Sequence, residues 1–330
     1  MSEIAPCTQF LLPTTATTTN PTAPATTDTD TDTDTDSGLI RSTSVEHFPA
    51  LYRRGYRNLR NLLHCRFGYV KTAVSPCTGV SVCVKITLLS AWSAEAEEDV
   101  RLEAAILRNL HHPAIIEYID SFEDGTYHYL VTEHACRGDL LQQAVLSEEV
   151  ARTYFAQLVN AIDYLHNTKN IAHVDVSMEN VCLARDGSLR LIDFGVARVV
   201  PASGVCDACN VIPGKFRYSS EEVIMGRPWD PRANDLYALG VLLFTMMTGR
   251  QVIECANPSV DPWYAYVSSG RWLQVRGARS CRFYEHLSSE CKQLIDGLIK
   301  PESHRWTLQQ VKDCKWLQLQ ASGSSSCVSK

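Results

Sequence analysis

The chain has 330 residues, 45% of them apolar and 21% charged, which is ordinary for a globular protein and enough for one large or two medium domains with a sizeable core. Its formal charge of −6 is uneven: residues 1–47 hold seven acids and one base, the remainder 30 of each, so the folded part is neutral and carries no footprint for nucleic acid. No apolar run approaches the ~18 residues of a membrane span. Met1 to Pro13 lacks the basic start and apolar core of a secretory signal, so the thirteen scattered cysteines read as reduced thiols of a soluble intracellular protein.

Residues 1–47 are dominated by Thr, Ala, Pro and Asp, with strict Thr-Asp alternation from Thr27 to Asp36. Such a composition cannot bury enough apolar surface to order itself, so a disordered leader is expected. It reads as a solvated spacer, with an acidic docking tail or a multi-site phosphorylation target as the alternatives. From Phe48 the texture changes. The runs Phe67 to Val74, Val80 to Thr87 and Tyr127 to Thr132 predict strands, with a helix over Ala94 to Leu110 between the second and third. This is a small, mostly antiparallel lobe that ends near Glu133 to Asp139. Glu103 lies on the stripe Val100, Glu103, Leu107, Leu110, and a carboxylate on an apolar face needs a partner. Lys85, after the run Val80 to Val84, is the natural candidate, although its own opposite number is either Glu103 or a phosphate. Taken alone, a lysine after a strand is usually a snorkelling surface residue.

Helices dominate from Leu140 onward, over Glu148 to His166, Asp235 to Thr248 and Glu290 to Ile299. The second is apolar on every side and followed by Gly249, as a fully buried helix with a glycine C-cap would be; Asp235 at its start is expected to cap exposed N–H groups. Before it stands His173 to Gly195, HVDVSMENVCLARDGSLRLIDFG. Asp186-Gly187 between the short apolar runs Val181 to Ala184 and Ser188 to Ile192 predicts a hairpin. Asp175 and Asn180 then precede its first strand and Asp193 follows its second. Oxygen ligands gathered at one hairpin edge can hold divalent cations, Mg²⁺ preferring one or two carboxylates plus phosphate oxygens. That points to phosphate chemistry. His173 reads as a packed, hydrogen-bonded core histidine rather than a base, and the Ser-rich end from Ala321 to Lys330 reads as loose.

In order, Lys85, Glu103, Asp175, Asn180, Asp193 and Gly195 resemble the signature set of the eukaryotic protein kinases, over about residues 52–318. Val82-Cys83-Val84-Lys85, Leu110-His-His-Pro113, Gly138-Asp139-Leu140 and Asp235 to Gly240 are also similar to that family, as is Arg305, the expected partner of Glu222 in Ser220-Glu221-Glu222. Glu179-Asn180 matches the Ser/Thr form of the catalytic loop. The resemblance implies an α+β, bilobal fold: a leader over 1–47, a kinase domain over 48–320 with lobes of about 48–134 and 135–320, and a tail over 321–330. It implies ATP and Mg²⁺ as cofactors and proteins as substrates, with no nucleic-acid or membrane partner. Lys85, oriented by Glu103, would bind the α- and β-phosphates; Asn180 and Asp193 would hold Mg²⁺; Asp175 would accept or align the substrate hydroxyl's proton. Gly68 would be the remaining glycine of the Gly-rich loop. Val70 and Cys83 would lie above the adenine and Cys182 below it, with Thr132 as gatekeeper, Glu133 to Ala135 as hinge and Asp139 at the ribose. Phe194 and His173 would stack in the spine joining the lobes.

The chain also departs from the family. Leu63 and Cys65 stand where the Gly-rich loop has two further glycines, which restricts close backbone approach to phosphates. Ser177 replaces the catalytic-loop lysine that neutralises the γ-phosphate, and Val174 replaces the arginine that pairs with a phosphorylated activation loop. Lys215 stands where Thr usually packs against the catalytic aspartate, and is expected to reach the γ-phosphate in place of the missing lysine. Cys206 and Cys209 form a lone C-x-x-C, read as two loop thiols, with metal or redox chemistry as the alternative. The leading reading is a Ser/Thr protein kinase of modest rate. A pseudokinase scaffold and a small-molecule kinase are the competing ones.

Overall fold

The computed structural model describes residues 48–65, 68–91, 94–208, 211–251, 253–269 and 286–319; the Thr-Asp leader, Phe67, Cys209 and the Ser-rich tail lie outside them. The smaller lobe is one antiparallel sheet of β1 (Arg57–Cys65), β2 (Gly68–Val74), β3 (Ser81–Leu88), β4 (Tyr118–Glu123) and β5 (Tyr127–Glu133), in the order β1-β2-β3-β5-β4. β1 and β4 carry no clean two-residue period in the sequence, and the register explains why. β1 shifts between Arg57 and Arg60 and again between Asn61 and Leu63, while β4 shifts between Tyr118 and Asp120, as bulged edge strands do. A short helix, α1 (Pro49–Arg53), starts with proline at its first turn, where the missing N–H is no loss. It delivers Phe48 and Leu51 into a core with Val82, Val84, Ile86, Phe122, Tyr129 and Val131. The Phe48 ring meets Tyr69 and Tyr127 edge-on at 5.5 and 5.3 Å. Against this sheet lies α2 (Ala94–Arg108).

The larger lobe is mainly helical. Its first long helix, α3 (Glu148–Asp163), is capped by Ser147, whose hydroxyl accepts the Val150 N–H, and it loosens into a π turn over Tyr164–Thr168. After the short α4 (Glu221–Ile224) comes α5 (Pro231–Thr248), buried without interruption from Asn234 to Thr248 and closed by Gly249 in the left-handed conformation. It begins four residues before the expected Asp235. The true cap is Asp230, whose Oδ1 accepts the Arg232 N–H at 2.9 Å. Asp235 therefore lies inside the helix, and its carboxylate is free to serve another segment. Around α5 pack α6 (Pro262–Ser268) and α7 (Ser289–Leu298), and the shared core includes Leu239, Leu242, Leu243, Tyr264, Leu294 and Leu298. Glu222 and Arg305 meet at 2.7 Å, both buried, and the Arg305 guanidinium also donates to the carbonyls of Ala233 and Lys300.

Candidate active site

The alternation of β3 sends Val82, Val84 and Ile86 into the lobe's core, leaving Cys83 and Lys85 on the opposite face. Lys85 stands opposite Val70 on β2 and Leu130 on β5, and Cys83 opposite Thr72 and Thr132. Directly opposed residues of a ladder share a face, so Val70, Cys83, Lys85 and Thr132 line one side of the sheet. From there the Lys85 Nζ donates to both Glu103 oxygens, at 2.9 and 3.1 Å, and to Asp193 Oδ1 at 3.0 Å. The buried carboxylate on the α2 stripe thus has its partner. Desolvation pulls the Lys85 ammonium down, but Glu103 and Asp193 outweigh it and raise its pKa above the ordinary value. Lys85 in turn holds the Asp193 carboxyl down to about 2, against the opposing effect of burial. Both are charged at neutral pH.

The hairpin consists of β7 (Val181–Leu183) and β8 (Leu189–Leu191), in register from Val181 with Leu191 to Leu183 with Leu189; β6 (Ile171–Ala172) pairs separately with β9 (Arg198–Val199). Asp193, two residues past β8, has φ +61. Asn180 sits just before β7, and its Nδ2 donates to the Asp175 carbonyl at 2.8 Å and to Asp175 Oδ2 at 2.6 Å. With the amide nitrogen committed to Asp175, its Oδ1 is the atom left to meet a cation.

The loop carrying Asp175 is held from beneath by Asp235. Its Oδ1 accepts the Val174 N–H at 2.7 Å, while its Oδ2 accepts the His173 N–H and pairs with His166 Nε2, both at 2.8 Å. These bonds pin Val174 at φ +70, a conformation that a β-branched residue rarely adopts. His173 is fully buried; its Nε2 donates to the Ile192 carbonyl at 3.1 Å and its ring meets Phe194 edge-on at 4.7 Å. Burial pulls its pKa down, so it stands as a neutral, hydrogen-bonded core histidine.

Burial likewise lowers the pKa of His112, His128 and His134. In the unfolded chain each titrates near ~6.5, so as pH falls below that value the unfolded state takes up protons that the folded state refuses. Stability is therefore expected to decline from about pH 7 toward about pH 5. Thermal denaturation across that range should show a falling midpoint, and a flatter slope for His128→Leu than for the parent. Superimposable slopes would contradict this account.

The remaining candidates cluster at the β3 and β7 edges. Burial, with Asp139 and Cys83 adding to it, pushes the Cys182 thiol up to about 12, and Asp139 forms a backbone bridge with Cys182. The Asp139 carboxylate accepts the Gln142 backbone N–H at 3.0 Å and the Gln142 amide at 2.7 Å. Glu133 receives Arg190 Nε at 2.7 Å, and its backbone N–H goes to the Glu117 carbonyl at 2.9 Å; Ala135 is half-buried two residues on. Leu63 stands opposite Val70 and is half exposed. At Gly68 a Cβ would fall 1.9 Å from the Ile86 carbonyl oxygen, so close packing of β2 on β3 already requires glycine there.

Lys215 comes from outside the hairpin. Its backbone N–H donates to Asp175 Oδ1 at 2.8 Å and its Nζ to Asp175 Oδ2 at 2.9 Å. The residue before it makes this approach possible: Gly214 has φ +75, and a Cβ there would meet the Val174 carbonyl at 2.8 Å and Asp175 Oδ1 at 3.0 Å. Pro213-Gly214 is a turn signal in the sequence, but that signal alone does not show the close approach to Asp175. Ser177, on the other side of Asp175, is buried, and its hydroxyl has no hydrogen-bond partner among the described residues.

A protein kinase domain model matches residues 56–317. The chain belongs to the protein kinase family. Among its relatives is testis-specific serine/threonine-protein kinase 1 of Mus musculus, 31% identical over 288 residues, which are 84% of this chain and 75% of that protein. The Homo sapiens protein of that name is 30% identical over 289 residues, with the same coverage. An SNF-related serine/threonine-protein kinase of Homo sapiens is 28% identical over 262 residues, 76% of this chain and 32% of its own length. The kinase fold is bilobal here, and the Lys85–Asp193 contact is made between its lobes. No helix among the described residues of this kinase is long and apolar enough to cross a membrane.

Proposed function

We propose that this kinase domain, over residues 48–320, transfers the γ-phosphate of ATP to Ser or Thr hydroxyls of protein substrates. The observation that carries the reading is Lys85 held between Glu103 and Asp193, 2.9 to 3.1 Å from each, beside an Asp175 bonded to Asn180 at the same hairpin edge. Phosphoryl transfer asks for positioning and charge neutralisation rather than a protein nucleophile, and this constellation offers both. The donor set fits Mg²⁺: Asp193 is ionised, its pKa held down at about 2, and Asn180 adds a second hard oxygen. Mg²⁺ bound there would supply positive charge between the phosphates.

In this reading Lys85 binds the α- and β-phosphates, and Glu103 keeps its ammonium aimed at them. The adenine lies between Val70 and Cys83 above and Cys182 below, with Thr132, Glu133 and Ala135 along its edge, Asp139 toward the ribose and Gly68 at the mouth of the phosphate loop. Asp175 receives the hydroxyl proton. Of about four acceptor positions on a carboxylate, Asn180 and the two Lys215 donors fill three, and the fourth is left for the substrate. The Ser/Thr names of the relatives support hydroxyl specificity of that kind. Glu222 and Arg305, locked together at 2.7 Å, support a protein-sized platform over a small-molecule substrate.

A second reading is a nucleotide-binding scaffold without transfer. It is favoured by Gly68, whose glycine is explained by strand packing, and by Leu63 where backbone would have to approach phosphate. Labelled ATP with Mg²⁺ and a generic protein substrate separates the two, comparing the parent with Asp193→Ala and identifying the phosphorylated amino acid. Background-level signal in both proteins overturns the enzyme reading. A scaffold that still binds nucleotide would then gain stability from Mg·ATP, by roughly 2.7 kcal/mol at about 100 times Kd.

A further inference from the structure

We propose that Lys215 is the cation that meets the transferring phosphate, brought to the site by the segment after Gly214 rather than by the loop that holds Asp175. The proposal rests on the kinase reading of Asp175 and adds a residue to it. From His173 to Asn180 the loop contains no lysine or arginine, and Lys85 is committed to Glu103 and Asp193 at the far side of the site. The charge next to Asp175 is Lys215, with Nζ at 2.9 Å from Oδ2 and a side chain one-third exposed, so it remains open to a ligand. An ammonium carries three donors. One is used on Asp175, and two are left for phosphate oxygens.

The seat of this lysine is built into the backbone. Gly214, at φ +75, has no room for a Cβ against the Val174 carbonyl and Asp175, and the Lys215 N–H is fixed on Asp175 Oδ1 at 2.8 Å. The Lys215 carbonyl accepts from the Tyr218 N–H at 2.9 Å and the Ser219 hydroxyl at 3.1 Å. Both ends of the residue are thus anchored, and only its long side chain has freedom to turn. The attacking hydroxyl sits on Asp175 and lies in line with phosphorus, so an ammonium bonded to the same carboxylate is beside the equatorial phosphate oxygens. As the new O–P bond forms and the P–O bond to ADP breaks, the hydroxyl proton passes to Asp175. Lys215 keeps its protons and shares them with the charge on the moving phosphoryl group. The Ser177 hydroxyl, buried and without a partner among the described residues, is too short to do this.

The test compares kcat and KM for Mg·ATP and for a generic protein substrate in the parent, Lys215→Ala, Lys215→Arg and the double variant Lys215→Ala with Ser177→Lys, alongside their melting temperatures. Loss of one preorganised donor at a transition-state charge is expected to lower kcat by ~10²–10³-fold, while KM for ATP and the melting temperature stay near the parent's. Lys215→Arg should keep part of the rate, and Ser177→Lys should restore at least tenfold of what Lys215→Ala loses. A Lys215→Ala enzyme with parental kcat overturns the proposal and leaves the kinase reading standing. A loss carried by KM and melting temperature, without recovery in the double variant, also overturns it, since that is the mark of a scaffold contact. A parent with no Asp193-dependent transfer overturns both.

Discussion

Asp193→Ala is expected to lower phosphoryl transfer by ~10³-fold or more, to the assay background, with little change in folding. The side chain is 45% exposed and its ion pair with Lys85 is half in solvent, so its loss should cost less than about 1 kcal/mol of stability. Lys85 does not become an orphan, because both Glu103 oxygens remain at 2.9 and 3.1 Å. What disappears is an ionised carboxylate at the hairpin edge, the one that in the proposed function holds Mg²⁺ opposite Asn180. Asp193→Asn separates charge from shape: its amide oxygen can still accept the Gly195 N–H, yet transfer should fall by a similar factor. Initial rates of labelled phosphate incorporation, with thermal melts of the same preparations, read both effects. A rate within threefold of the parent for either variant, in folded protein, would remove Asp193 from the mechanism.

Asp235→Ala should be strongly destabilising, at ~3–9 kcal/mol before any strain is released. Three buried donors, the N–H groups of His173 and Val174 and His166 Nε2, would lose their acceptor together, each at ~1–3 kcal/mol. Val174 would also lose the bond that holds it at φ +70, and release of that strain, about 1–3 kcal/mol, would return part of the loss. Relaxation of Val174 moves the neighbouring Asp175, so the rate should fall with the stability. Asp235→Asn keeps one acceptor oxygen but turns an amide N–H₂ toward a donor, and should be intermediate. Denaturant unfolding measures both; a loss below about 1 kcal/mol for Asp235→Ala would refute the assignment.

The two variants differ in what the sequence could foretell. Asp193 follows a readable hairpin, so its place at a strand edge beside Asn180 was open to inference from Asp186-Gly187 and the short apolar runs alone. In the sequence Asp235 looks like a cap because it is a carboxylate before an apolar run, and Asp230, five residues earlier, looks the same; the helix starts after Asp230. The distinction depends on which backbone N–H groups lie within reach, and those on Asp235 come from 61 and 62 residues away.

Periodicity determined much by itself. The strand that carries Cys83 and Lys85 on one face, the helix with Glu103 on its stripe and the wholly apolar helix closed by Gly249 are written in local spacing, because burial selects side chains at the period of the element. β1 and β4 escaped for the converse reason, since their bulges break the two-residue period. The order of Lys85, Glu103, Asp175, Asn180 and Asp193 was enough to suggest the kinase family. Only the tertiary structure decided which charges meet. Lys85 takes two carboxylates from two different segments, Lys215 rather than any residue of its own loop neutralises Asp175, and the glycine at 68 serves strand packing. Electrostatic pairing and steric contact depend on distance in space, and the folded chain brings residues 40 and 108 positions apart to 2.9 and 3.0 Å, a closeness that no local pattern carries.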